Sequence, residues 1–370
     1  MGKGKTFTTL QIQEHGGSIM AVKTLAIKYR PKTWDDVVEQ QTIKDILIQQ
    51  LETGTIKNAY LFVGGAGTGK TTCARIFANE INKGEGNPIE QDAASNNSVE
   101  DARALIQQAK TKSLDSEYKV FIIDECHMLS TAAWNALLKL IEEPPAKSIF
   151  IFCTTDPQKI PKTILSRVQR YDFQRISQNG IKNRLVHILS EEYPSTIGKN
   201  DVGTSVESEA VEYIAKIADG GMRDAITMMD KCLSYSDELT MENVVKALGL
   251  NDYDIMFELN TAILENDPDD IIYIIEHIHS SGKDLKIFMK SYMQFLLDIC
   301  KYHILGDFKY VNIPNIYEKE LESDGDYEKW RLKELLTHII KLNADIKWDT
   351  SPKYVIEATL LLEVDDGTDN

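Results

Sequence analysis

Five apolar residues, Ala59-Tyr60-Leu61-Phe62-Val63, run directly into Gly64-Gly65-Ala66-Gly67-Thr68-Gly69-Lys70-Thr71. This junction limits the fold more than any other stretch. The apolar run reads as a buried strand, and Thr71 to Ile81 reads as the helix after it. The glycine spacing fits G-x-x-x-x-G-K-[ST], a loop whose backbone N–H groups turn inward around phosphate oxygens at a helix N-terminus. Lys70 can then reach the β- and γ-phosphates, and the Thr71 hydroxyl can ligate Mg²⁺. Gly64, Gly65, Ala66, Gly67, Thr68, Gly69, Lys70, Thr71 and Thr72 are the expected nucleotide cradle. The alternative, a glycine-rich turn matching by chance, does not explain the strand before it and the helix after it.

A second apolar run, Lys119 to Ile123, ends on Asp124-Glu125-Cys126-His127. Two carboxylates at the C-terminal end of a strand sit where ligands bind in parallel sheets. Asp124 is placed to hold Mg²⁺, and Glu125 to polarise an attacking water. An Asp-Glu helix cap is the ordinary alternative. His127 reads as a packing or hydrogen-bonding residue, and Cys73 as a small core residue. Ser148 to Cys153 is a third buried strand, and helices are expected over Ile43 to Leu51 and Thr131 to Glu143, the latter stopped by Pro144-Pro145. Ile43, Ile46, Leu47 and Leu51 share one side of the first helix. Strands apolar throughout and separated by helices predict a parallel sheet covered on both faces.

Beyond Arg175 the strand pattern stops and a 3.6-residue period takes over. Ala210, Val211, Ile214 and Ile217 line one helix, Gly220-Gly221 break it, and Met222 to Leu233 form the next. Further amphipathic helices follow, including Asp269 to His279, Asp284 to Tyr302 and Tyr354 to Val364. The fold class is therefore α/β plus α. The expected division is 1–19 as a leader or arm, 20–176 as the phosphate-binding unit, 177–244 as a small helical unit and 245–370 as a second helical unit. The last six residues, Asp365 to Asn370, read as an acidic tail.

The net charge of the 370 residues is −16, which argues against a protein that coats nucleic acid alone. It leaves room for one that holds DNA inside an assembly, where only an inner patch need be basic. No segment approaches the ~18 apolar residues of a membrane span, and the start has no export signal. Cys73, Cys126, Cys153, Cys232 and Cys300 contain no C-x-x-C pair, so no zinc knuckle is expected. Scattered thiols in apolar surroundings fit a reduced, cytoplasmic setting.

The residues between and after the two motifs narrow the class. Asp92-Ala93-Ala94-Ser95-Asn96-Asn97-Ser98-Val99-Glu100-Asp101-Ala102-Arg103 resembles a segment of the bacterial clamp-loader gamma/tau subunits. So do Asp124 to Ser130, Asn135 to Pro145, Thr154 to Pro161 and Ile164-Leu165-Ser166-Arg167. Tyr29-Arg30-Pro31 is typical of clamp loaders. The resemblance is dense from Val22 to Phe173, persists in Gly220 to Ala225 and is diffuse after residue 245.

This resemblance implies an AAA+ ATPase domain, a helical lid and a C-terminal helical collar. It implies ATP and Mg²⁺ as cofactors. Thr155 looks like the sensor-1 residue, Arg223 like the sensor-2 arginine and Arg167 like an arginine finger acting on ATP held by a neighbouring subunit. For either arginine the alternative is a surface salt bridge. Implied partners are delta- and delta-prime-like subunits and copies of the chain in a five-membered ring, a sliding clamp and primed DNA, with no membrane. DNA contacts are expected from Lys139, Asn97 and Ser98; a solvated lysine is the alternative for Lys139.

Two departures stand out. Val168 follows Ser166-Arg167 where the family has cysteine, which predicts a packing change. Asn79 to Gln91 is short and cysteine-free where bacterial subunits usually carry a four-cysteine zinc module. No structural zinc is expected, and a bacteriophage or divergent version is consistent with that. The chain also looks gamma-like, without room for the extra tau domains. The expected function is ATP-driven opening of a sliding clamp and its placement on primed DNA. The competing readings are a hexameric AAA+ remodelling or recombination ATPase, and a non-hydrolysing clamp-loader stator; the retained Lys70, Thr71, Asp124 and Glu125 argue against the stator.

Overall fold

The computed structural model describes residues 23–113, 115–192, 206–236, 238–250, 252–323 and 329–363. The expected arm at 1–19 and the acidic tail from Asp365 lie outside the described residues. After a short helix α1 (Leu25–Lys28), the first layer alternates helix and strand: α2 (Gln41–Thr53), β1 (Ala59–Val63), α3 (Lys70–Ile81), β2 (Ile89–Asp92), α4 (Val99–Lys110), β3 (Lys119–Asp124), α5 (Thr131–Glu142), β4 (Ser148–Thr154), α6 (Lys162–Leu165) and β5 (Gln169–Asp172). All strand pairings are parallel, in the order β2-β3-β4-β1-β5.

Side chains alternate across the sheet, and each face gains its own helices. Tyr60, Phe62, Ile122, Ile151 and Cys153 pack with α2 and α3 on one face. Leu61, Val63, Phe121, Ile123, Phe150 and Phe152 pack with α4 and α5 on the other. The two edge strands, β2 and β5, were not anticipated from sequence. Their short runs, Ile-Glu-Gln-Asp and Gln-Arg-Tyr-Asp, are largely exposed, so they lack the apolar signature of the three central strands. Ile46 on α2 is 37% exposed rather than on the buried side.

The connection from α3 to β2 is a tight one. Asn82 clamps Tyr118 from both sides: Nδ2 donates to the Tyr118 carbonyl at 2.9 Å and Oδ1 accepts its N–H at 2.8 Å.

The second layer is helical: α7 (Gln178–Glu192), α8 (Val206–Ile217), α9 (Met222–Tyr235) and α10 (Met241–Leu248). Ile181, Leu185, Ile188, Val211, Ile214 and Met229 form its core, with Ala210 also buried and Ile217 packed at its margin. Leu25 of α1 buries in this core rather than in the sheet layer, and its N–H donates to Asp230 Oδ2 at 3.1 Å. The lead-in therefore straps the helical layer from the N-terminal side. Gly220 ends the α8 segment at φ +83°, and a Cβ there would lie 2.5 Å from Arg175 Cβ. A side chain is excluded on both counts.

The third unit contains α11 (Asp252–Leu264), α12 (Pro268–Ser280), α13 (Leu285–Leu305), α14 (Glu318–Ser323), α15 (Lys329–Asp345) and α16 (Pro352–Leu361) around a separate core. One buried carboxylate joins it to the lid-side helices. Asp298 of α13 is 1% exposed. It accepts from Lys301 Nζ at 2.7 Å and from the Asn312 N–H at 3.0 Å. The Asn312 carbonyl in turn accepts from Tyr213 of α8 at 2.9 Å and Tyr253 of α11 at 3.3 Å, and Lys216 of α8 donates to the Phe308 carbonyl at 2.6 Å.

Replacing Asp298 by alanine strands the Asn312 N–H and the Lys301 ammonium and is expected to cost about 2 kcal/mol. Asp298→Asn keeps an acceptor and loses less. Scanning calorimetry of both variants checks the order, and equal transitions for Asp298→Ala and the parent would refute the keystone role.

Candidate active site

The loop after β1 needs glycine where its backbone turns. Gly67 and Gly69 sit at φ +68° and +101°, and a Cβ on Gly64 would lie 2.7 Å from the Phe173 carbonyl. Lys70 opens α3 and is 6% exposed. Its Nζ donates to the carbonyls of Gly64 at 3.0 Å and Gly65 at 2.7 Å. Burial pulls this ammonium below the usual lysine range, while Glu125 and Asp124 act in the opposite sense. A buried ammonium held in the loop by carbonyl oxygens alone is suited to an anionic ligand.

Register supplies the rest of the site. Val63 pairs with Thr154, so β4 ends beside the phosphate loop, and β3 ends on the other side of β4. Thr71 Oγ1 donates to Asp124 Oδ2 at 2.8 Å. Together these two oxygens suit a small hard cation that keeps several waters or takes phosphate oxygens. Glu125 follows in the left-handed region, φ 45° and ψ 42°, unusual for a glutamate. Its Oε2 accepts from Thr155 Oγ1 at 3.1 Å. The ring of His127 lies between Thr154 and Glu125, with Nδ1 3.2 Å from Thr154 Oγ1 and 3.3 Å from Glu125 Oε2.

Lys70, Thr71, Asp124 and Glu125 line a cavity of about 280 Å³ that runs from the loop to the helical layer, while Thr154, Thr155 and His127 lie behind Glu125 outside its lining. Gly67 touches that layer closely: its carbonyl accepts from the Met222 N–H at 3.1 Å, and a Cβ on it would lie 2.9 Å from Gly221 Cα. Arg223, in the first turn of α9, lines the cavity with Thr72 and Lys70. The end away from the phosphate loop is formed by Tyr29, Arg30, Val38, Ile176 and Arg184, with the Arg184 guanidinium donating to the Tyr29 carbonyl at 3.1 Å. Sequence reasoning marked Tyr29-Arg30-Pro31 by resemblance but not as a cavity wall. It missed Val38, Ile176 and Arg184, because no local spacing ties a mid-helix arginine to a distant loop.

Four of the expected residues lie elsewhere. Arg167 is bonded to Glu142 Oε1 at 2.7 Å and to the Thr163 carbonyl at 2.6 Å. Gln169 pairs with Tyr60, four residues before Gly64, so Arg167 lies at the opposite end of the sheet, more than about 13 Å along the strand direction from the phosphate loop. Lys139 is exposed on α5, and Asn97 is exposed beside the start of that helix, where its carbonyl accepts from the Ser130 N–H at 3.1 Å. The Ser98 hydroxyl is engaged in capping α4, exchanging hydrogen bonds with Asp101.

Among the described residues no group of three His, Cys, Asp or Glu side chains is placed to hold a metal, and no helix is long and apolar enough to cross a membrane.

Three family models match successive parts of the chain. Residues 88–177 match DNA polymerase III, delta subunit; 180–238 match the ATPase lid domain of the DNA polymerase III clamp loader subunit; and 239–351 match domain III of DNA polymerase III subunits gamma and tau. DNA polymerase III subunit tau of Bacillus subtilis is 33% identical over 92% of this chain and 63% of that one. The Escherichia coli subunit tau is 34% identical over 71% of this chain and 43% of that one. This chain belongs to the gamma/tau family of DNA polymerase III clamp-loader subunits. It spans less than two thirds of the length of these relatives. A solved Thermotoga maritima RuvB chain aligns at 20% identity and a TM-score of 0.48, covering 69% of this chain and 86% of that chain, a likeness too low to carry an argument.

Three thiols of this gamma/tau chain surround the site from below. Cys73, Cys126 and Cys153 are buried, and burial pushes the Cys73 thiol up to about 12 and raises the other two as well. Cys232 is buried as well, whereas Cys300 is partly exposed. In the native protein at pH 8, iodoacetamide is expected to label Cys300 first and to reach the other four only on unfolding. Peptide mass mapping checks this, and early labelling of Cys73 would show that the layer beneath the loop opens.

Proposed function

We propose that this gamma/tau chain binds ATP with Mg²⁺ and hydrolyses it as one subunit of a clamp loader, opening a sliding clamp and placing it on primed DNA. The observation that carries the reading is the convergence of Lys70, Thr71, Asp124, Glu125 and Thr155 at the adjacent ends of β1, β3 and β4. In this reading the loop from Gly64 to Thr72 cradles the phosphates. Lys70 exchanges the carbonyls of Gly64 and Gly65 for β- and γ-oxygens. Thr71 and Asp124 would hold Mg²⁺, which supplies charge neutralisation on the phosphates when bound. Glu125 orients and deprotonates the attacking water, Thr155 senses the γ-phosphate, and Arg223 reports its presence to the lid. The reading needs no zinc.

Arg167 serves a different copy or subunit. Its place at the far end of the sheet puts it out of reach of its own Lys70, and a guanidinium entering a neighbour's site would neutralise developing charge there. Ring assembly with delta- and delta-prime-like subunits and further copies follows, five members in all. Large apolar side chains exposed on the third unit, among them Ile287, Trp348 and Tyr354, support an assembly surface there. ATP then acts as a population switch favouring the clamp-binding state. Lys139 and Asn97, exposed on neighbouring elements, are the proposed contacts to DNA phosphates; Ser98 contributes through the α4 N-terminus it caps. The working division into 20–176, 177–244 and 245–370 and a cytoplasmic location, in a bacterial cell or a phage-infected one, belong to the same reading.

Lys70→Ala is expected to abolish both ATP binding and hydrolysis. Arg167→Ala should keep the affinity and lose about 10³-fold or more in turnover. Mixing the two variants, with partner subunits present, should restore part of the activity, because an intact Lys70 site then meets an intact Arg167. Full activity in Lys70→Ala would remove the ATPase reading. Full activity in Arg167→Ala alone would leave the ATPase reading intact and remove the arrangement between subunits.

A further inference from the structure

The His127 ring occupies a position that its capacity as a core residue does not explain. It sits on the short turn after β3, 12% exposed at the side chain, with one ring nitrogen facing two oxygens at once. Thr154 Oγ1 is 3.2 Å from Nδ1 and Glu125 Oε2 is 3.3 Å from it. An ionised carboxylate only accepts hydrogen bonds, so this contact is attractive only when Nδ1 carries hydrogen. The Thr154 oxygen is fixed in its turn, since it accepts the Asp156 N–H at 3.0 Å at the end of a fully buried strand. His127 therefore donates from Nδ1 toward a rigid hydroxyl and a movable carboxylate.

The second donor to the same carboxylate oxygen is Thr155, at 3.1 Å. Oε2 is thus approached from two sides, by Thr155 just after β4 and by His127 on the turn after β3. The backbone of Glu125 lies in the left-handed region at φ 45°. Such a conformation persists only where the surroundings enforce it, and it aims the side chain away from the direction β3 would give.

From this geometry we infer that His127 is a positioning residue for the general base: its Nδ1–H holds Glu125 Oε2 so that Oε1 points at the nucleophilic water. The inference rests on the proposed role of Glu125 and adds a specific atom to it. His127 touches neither nucleotide nor water; it acts through Glu125.

Substitutions that reproduce one ring nitrogen or the other test the idea on the full chain with its partner subunits. The asparagine side-chain amide places its N–H where Nδ1 lies, whereas glutamine places it nearer the Nε2 position. His127→Ala is expected to lower kcat by about 10- to 100-fold, the range expected for a misplaced catalytic group, with ATP affinity and thermal midpoint close to the parent. His127→Asn should recover most of the rate and His127→Gln should not. A kcat for His127→Ala equal to the parent, or equal recovery by asparagine and glutamine, would overturn the inference. Equal loss of ATP affinity and rate would assign His127 to the structure of the site rather than to positioning. Glu125→Gln, measured alongside, separates the two levels: if it hydrolyses ATP at the parent rate, the base assignment itself fails, and no result on His127 can rescue it.

Discussion

Parallel pairing of β4 with β1 on one side and β3 on the other is the constraint on which the site depends. Parallel strands place their C-terminal ends at one edge of the sheet. Because β4 is threaded between the two strands that carry the chemistry, its own end falls between the phosphate loop and the Asp124-Glu125 pair. Val63 pairs with Thr154, and Thr154 and Thr155 then meet His127 and Glu125. Had β3 paired directly with β1, the end of β4 would not lie between the phosphate loop and the Asp124-Glu125 pair. Fully buried Phe150 and Phe152, packed against Phe121 and Trp134, hold β4 in that register from one face.

A second dependence runs from the loop to the helical layer. Gly67 approaches Gly221 so closely that it accommodates no side chain: a Cβ on Gly67 would lie 2.9 Å from Gly221 Cα. The Gly67 carbonyl and Met222 N–H join the two backbones directly. The phosphate loop thereby abuts the first turn of α9, where Arg223 sits. The α8 side of the same layer is fastened to the third unit through Tyr213, Lys216 and the loop anchored by Asp298. The helical layer is thus tied at one end to the phosphate loop and at the other to the third unit.

Legibility in the sequence followed burial. The three central strands were readable because every position in β1, and most in β3 and β4, is apolar. The edge strands were not, because one side and one edge of each meets solvent and little sequence signal remains. The phosphate loop was readable because it depends on local spacing, and the placement of Asp124 and Glu125 because they follow directly on an apolar strand. The cavity end formed by Val38, Ile176 and Arg184 was invisible, since those residues come together only when the lead-in, the end of the sheet layer and α7 fold onto one another. Leu25 illustrates the same limit: it precedes the sheet layer in the chain, but its side chain buries among helices that come after that layer, from α7 onward.

The sequence by itself determined the class of chemistry. A glycine loop between strand and helix, and two carboxylates at a strand end, specify phosphate binding through backbone geometry and local charge, which short-range spacing encodes. Tertiary structure decided how those pieces are combined. It placed β4 between β1 and β3, set Arg167 at the edge of the sheet opposite its own Lys70, and brought the His127 ring to within 3.3 Å of Glu125 Oε2. These outcomes depend on strand order and register, which are settled by burying both faces of the whole sheet and not by any segment alone.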